Sequence, residues 1–146
     1  MDERAVIDYI LETFEGVETS TGGGYLFFFV GAERMLPFVT LANADNEHDS
    51  VSNLDRTGVY RLNISVSRES FDARFGAESR KLGTDALVAA HDYASLDRLM
   101  PHPHYAAQSW VCIVNPSAET FEETVKPLLQ EAYDRAAARM KRRAGE

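Results

Sequence analysis

A chain of 146 residues is long enough to bury one substantial core and too short for two domains with a core each, so a single domain over 1–146 is expected. Apolar residues at 45% and charged residues at 26% exclude disordered, collagenous and coiled-coil classes. The net charge of −8 divides into 10 basic and 22 acidic side chains over 1–134 (−12) and 5 basic and 1 acidic over 135–146 (+4), and the acidic body repels phosphate backbones.

The opening residues, MDERAVIDYI, put acids where a secretory leader carries bases. The longest apolar run, YLFFFV at 25–30, is far too short to span a bilayer. These features predict a cytoplasmic chain with no membrane partner. From Asp2 to Phe14, Val6, Ile7, Ile10, Leu11 and Phe14 recur at helical spacing, and Gly16 stops the run. VETS at 17–20 and YLFFFV at 25–30 flank TGGG, whose glycines supply the positive φ of a hairpin turn. A phosphate-cradling glycine loop opens a helix, whereas a strand follows here.

GAER at 31–34 reads as a second turn and MLPFVTLA at 35–42 as a third strand, with Pro37 near its start. The polar stretch NADNEHDSVSNLDRTG is long for a connection within a domain. Asp45, Glu47 and Asp49 alternate there like calcium-loop ligands, but Ser50 and Arg56 replace the required glycine and glutamate. A solvated acidic loop is expected. VYRLNISV at 59–66 alternates Tyr60, Leu62, Ile64 and Val66 with Arg61, Asn63 and Ser65, which predicts one oily and one polar face.

Ser67 is placed to cap a short helix, RESFDARFG, ended by Gly76, and AESRKLGTD reads as a surface turn. Ser95 is placed to cap another short helix ended before Pro101. SWVCIVN at 109–115 is the last strand, and Cys112 within it reads as a buried hydrophobe. Ser117 then caps a long helix whose stripe runs from Phe121 through Val125, Leu128, Leu129, Ala132, Tyr133 and Ala136 to Met140. The basic residues at 135–146 suit the negative pole of that helix.

This order predicts an α+β fold, an antiparallel sheet with the N- and C-terminal helices packed on one face. Because YLFFFV is apolar on both faces, something must cover the other face. The candidates are the long loop, the 67–100 segment, a second copy of the chain, or a ligand.

The residues GVYRLNISVSRESFDARFG (58–76) and LDRLMPHPHYAAQSWVCIVNPSAETF (96–121) resemble domain-of-unknown-function family 6194. That family is similar to the wider MmcQ/YjbR-like superfamily, and the resemblance implies an α+β sandwich of frataxin-like topology. It also implies a link by shape to a double-wing DNA-binding motif. The superfamily has lysines beside the tryptophan before its last strand; this chain has no lysine or arginine between Arg98 and Lys126, which weakens that link. Frataxin-like iron binding would fall on Asp2, Glu3, Asp8, Glu12 and Glu15 of the first helix, where an acidic solvent face is the simpler reading.

The segment LMPHPHYAAQSWVCIV at 99–114 concentrates the remaining chemistry. His102 and His104 could share a metal only with a third ligand, and nothing in the spacing of His91, Asp92 and Asp97 places one. Ser109 near His104 lacks the strand–elbow–helix frame of a nucleophile. No catalytic residue, metal or cofactor is therefore assigned. Two readings remain: a corner in which Tyr105 and Trp110 cap the core, or a pocket wall in which His102, Tyr105, Gln108 and Trp110, with Arg61 and Asn63, line a site for a polar or anionic small molecule. The function expected is a non-catalytic binding or interaction module for a small ligand or a protein partner, monomeric or homodimeric. A nucleic-acid-binding accessory protein of the double-wing type is the alternative.

Overall fold

The structure, a computed structural model, describes residues 1–31 and 36–145. The first helix, α1 (Glu3–Thr13), begins where the Asp2 carboxylate accepts the Ala5 N–H. Strands β1 (Val17–Gly22) and β2 (Tyr25–Val30) form the expected hairpin around Gly23 and Gly24, both at positive φ. β3 (Val39–Ala42) is shorter than the predicted 35–42 strand, because Pro37 has no N–H to offer a ladder. Met35 and most of the predicted turn at 31–34 lie outside the described residues.

β4 (Arg61–Ser65), β5 (Met100–Pro101) and β6 (Trp110–Val114) complete a fully antiparallel sheet in the order β1-β2-β3-β4-β6-β5. The α+β class and the C-terminal helix predicted from the sequence are both present.

The register separates two faces. Leu26, Leu41, Leu62 and Ile113 align across the sheet, as do Phe28, Val39, Ile64 and Val111, and both rows face the terminal helices. Val6, Ile10 and Phe14 of α1 pack there with Phe121, Val125, Leu128 and Leu129. Phe14 stacks on Tyr133 at 4.8 Å between ring centres. Each such fully buried aliphatic or aromatic side chain is worth about 1.5–3 kcal/mol.

The long helix from Ser117 departs from one continuous α-helix. A turn at α4 (Ala118–Thr120) runs into a π-helical stretch over Phe121–Val125 before α5 (Lys126–Ala144). Pro127 explains the break: it cannot donate to the carbonyl of Glu123, and the Lys126 N–H reaches back five residues to Phe121.

The second face carries Tyr25, Phe27, Thr40, Arg61, Asn63, Trp110 and Cys112, and the chain itself covers most of it. Leu87 of α3 (Thr84–Ala90), Tyr93 and Ala106 close over Met100 and Cys112. The Tyr93 hydroxyl donates to the Pro101 carbonyl at 2.7 Å. Three local expectations are corrected here. AESRKLGTD is a 3₁₀ helix (Ala77–Lys81) leading into α3, because the Ser79 hydroxyl bonds the Phe75 carbonyl and prolongs the winding. The helix after Ser95 is absent. Asp97 instead takes φ 59° and donates its N–H to Val114, which draws the chain along the sheet edge into β5. The supposed polar face of β4 is not solvated, since Arg61 and Asn63 are both completely buried.

Candidate functional site

The acidic loop at 43–58 is built, not merely solvated. Asp45 accepts the Leu54 N–H, and Asp55 accepts the Asp45 N–H in return. This closure carries Asp49 inward, where it is 4% exposed and chelates the Arg61 guanidinium. The Tyr25 hydroxyl donates to the same carboxylate at 2.6 Å. Burial alone raises the Asp49 pKa, but the hydrogen bonds and charge of Arg61 outweigh it and hold the group at about 2. Arg61 also donates to the Ser52 hydroxyl at 3.1 Å and, through Nε, to Asn63 Oδ1 at 2.9 Å. Asn63 Nδ2 donates in turn to the Thr40 hydroxyl at 3.0 Å.

Thr40 stands at the margin of a pocket of about 180 Å³ lined by Phe27, Pro37, Thr40, His102, Tyr105 and Trp110. β2 and β3 supply its floor. The opposite wall comes from the turn between β5 and β6, where a 3₁₀ helix (Ala106–Gln108) brings His102, Tyr105 and Trp110 together. The His102 and Tyr105 ring centres are 5.1 Å apart, and those of His102 and Trp110 are 6.5 Å apart.

His102 is fixed from behind: its Nδ1 accepts the backbone N–H of His104 at 3.0 Å and of Tyr105 at 3.1 Å. Burial, with the Arg61 charge, depresses its pKa well below the ordinary histidine value, so the ring is neutral near pH 7. A neutral ring with an accepting Nδ1 carries its proton on Nε2.

Of the six residues proposed from sequence, His102, Tyr105 and Trp110 line the pocket. Arg61 and Asn63 stand behind its floor, connected to it through Thr40. Gln108 is exposed on the 3₁₀ helix and is not among the lining residues. Phe27 entered only as part of the apolar YLFFFV face that needed a cover, and Pro37, Thr40 and Asp49 were missed. No sequence signal marked Asp49, because Arg61, the first residue of β4, alternates with apolar neighbours as a surface residue does, and only its burial in the fold calls for an acid.

His104 lies beside this network, not in it. Its Nε2 is buried without a hydrogen-bond partner among the described residues, 3.6 Å from Asp49, and its Nδ1 is 3.4 Å from the Thr84 hydroxyl. His91, Asp92 and Asp97 do not join the two histidines: Asp97 accepts the Ser117 N–H and Asp92 accepts the Ala94 N–H. Among the described residues no group of three or more His, Cys, Asp or Glu could hold a metal ion. Ser109 closes the 3₁₀ helix at φ 66°, its N–H on the Ala106 carbonyl. Burial pushes the Cys112 thiol up to about 12, which removes it as a nucleophile.

The model of one family, DUF6194, described as a family of unknown function, matches residues 1–145. No curated protein and no solved structure matches the chain.

Proposed function

The chain belongs to DUF6194, a family of unknown function, and we propose that it is a non-catalytic binding module that holds a small molecule in the pocket between β2–β3 and the turn before β6. The observation that carries this reading is the wall itself: three aromatic side chains and a buried, back-bonded histidine converge on one concavity of about 180 Å³. Apolar walls with a few oriented polar groups are the ordinary construction of a ligand site. An MmcQ/YjbR-like relation, a cytoplasmic location and a monomeric or homodimeric state belong to the same proposal. Among the described residues no helix is long and apolar enough to cross a membrane. The double-wing nucleic-acid reading is the weaker one, since among the described residues no lysine or arginine lines the pocket and the body carries the excess acid, with only the short basic stretch at 135–146 on its side.

Trp110 is the chain's single tryptophan, so its fluorescence reports on the pocket directly. A set of single-ring compounds is expected to include saturable quenchers, weakened by Tyr105→Ala, a half-exposed position whose truncation spares the core. If no compound moves Trp110 at up to about 10 mM, a limit of roughly 3 kcal/mol of binding, the proposal fails.

A further inference from the structure

The direction of every hydrogen bond behind the pocket is fixed by a group that can only donate. A guanidinium has no acceptor, so Arg61 Nε–H obliges Asn63 to turn its oxygen toward the arginine. The Asn63 amide nitrogen then faces Thr40 and donates to its hydroxyl oxygen. With that bond accepted from behind, the Thr40 hydroxyl hydrogen is left for the pocket that Thr40 lines. On the opposite wall the two backbone N–H groups at His104 and Tyr105 occupy His102 Nδ1, which leaves an N–H on Nε2. The Trp110 indole nitrogen donates only, whatever its surroundings. Tyr105, 55% exposed, has a hydroxyl that water can satisfy and sets no polarity.

Resting on the pocket reading above, we propose that this is a donor-biased site, with the His102 and Thr40 hydrogens turned to it and one Thr40 lone pair left over, that prefers a single-ring, uncharged ligand bearing a carbonyl-type acceptor. Size limits it to one ring: an apolar cavity of about 150 Å³ takes up benzene, and the volume here is about 180 Å³. Charge favours a neutral molecule, because among the described residues neither an acid nor a lysine or arginine lines the pocket. The acceptor preference follows from the cost of the alternative, since a ligand that only donates finds just the remaining Thr40 lone pair and leaves the His102 hydrogen unpaired.

Three single-ring probes of comparable size test this by Trp110 fluorescence: acetophenone as acceptor, N-methylaniline as donor and α-methylstyrene, which replaces the carbonyl oxygen of acetophenone with a methylene, as neither. Acetophenone is expected to bind about 5- to 10-fold more tightly than the other two, the range of one neutral hydrogen bond. Thr40→Val, which keeps the shape and removes the hydroxyl, is expected to reduce that preference, and Thr40→Ser to retain it. Equal binding of all three probes overturns the donor-biased assignment and leaves the pocket standing. Silence from all three overturns both. Should Thr40→Val fail to fold, nitrogen NMR of His102 in the unaltered protein decides: a proton found on Nδ1 instead of Nε2 overturns the proposal.

Discussion

Asp49 grips Arg61 through two parallel hydrogen bonds, Nη1 to Oδ1 at 3.1 Å and Nη2 to Oδ2 at 2.5 Å, with neither side chain more than 4% exposed. The pair ties the long loop to the central strand and orients everything between Arg61 and Thr40. Removing one partner of a buried pair strands the other charge, at about 3–5 kcal/mol. Asp49→Ala is therefore expected to lower the unfolding free energy measured in urea by that amount. The double replacement Asp49→Leu with Arg61→Met should recover most of it, because no buried charge remains, less a penalty for the Asn63 and Ser52 groups left without their donor. A double variant no more stable than Asp49→Ala would show that the pair is not what binds loop to strand.

Stability should fall with acid in two stages, for different reasons. His102 has a folded pKa well below its unfolded 6.5, so below that pH the unfolded chain binds a proton that the native state refuses, and stability declines. The charged or titratable groups facing it are Arg61, Asp49 and His104. The slope from this one site reaches at most about 1.4 kcal/mol per pH unit. Asp49, held at about 2 against 3.8 unfolded, contributes above pH 3.8 and loses its contribution as the pH falls toward 2, about 2 kcal/mol in all. Urea titrations at pH 7, 6 and 5 isolate the first stage. His102→Asn, whose side-chain oxygen can stand in for Nδ1 without titrating, is expected to flatten the curve over that interval.

The sequence made the frame legible and left the site half hidden, for identifiable reasons. Local signals were sufficient for α1, the β1–β2 hairpin and the Ser67-capped α2 (Arg68–Phe75), since a cap or a glycine pair fixes each within a few residues. Trp110, Tyr105 and His102 could be nominated because they sit within one short segment. Phe27 could be nominated as part of an apolar face but not joined to that segment, and Thr40 not at all, because both reach the pocket only through the pairing of β2 with β3. Arg61 and Asn63 alternate with apolar neighbours as surface residues do, and only the return of the loop with Asp49 makes their side of β4 interior. The helix expected after Ser95 was lost to a competing interaction over long sequence separation, the bond from Asp97 to Val114.

Cys112 should be silent in the native state. It is fully buried in the central region of the sheet, and its thiol is pushed up to about 12 by that burial, so almost no thiolate exists at neutral pH. Ellman's reagent is expected to leave it untouched over hours and to label one thiol per chain once urea unfolds the protein. Fast labelling of the native protein would mean that the 84–108 cover opens readily. Cys112→Ser, which buries a hydroxyl in place of a thiol, is expected to cost about 1–3 kcal/mol, and more than Cys112→Ala.

The turn at Gly23 and Gly24 holds the hairpin that presents Tyr25 to Asp49 and Phe27 to the pocket, so its backbone requirement reaches the site. Both residues have positive φ, 61° and 88°, the pattern of a two-residue turn whose twist matches that of its strands. A Cβ at either position meets nothing closer than 3.9 Å, so conformation, not space, decides the outcome of substitution. Gly23 lies in the left-handed region that asparagine tolerates. Gly23→Asn is expected to be neutral to stabilising by up to about 1 kcal/mol, because it restricts the unfolded chain. Gly24→Ala forces an L-residue into a conformation costing about 1–2 kcal/mol. Thermal melts of the two variants should therefore shift in opposite directions or, at the least, separate clearly, with Gly24→Ala the lower. The same variant should weaken probe quenching of Trp110, because Phe27 is then held less firmly over the pocket. Equal melts for the two substitutions would mean that the turn is not under this constraint.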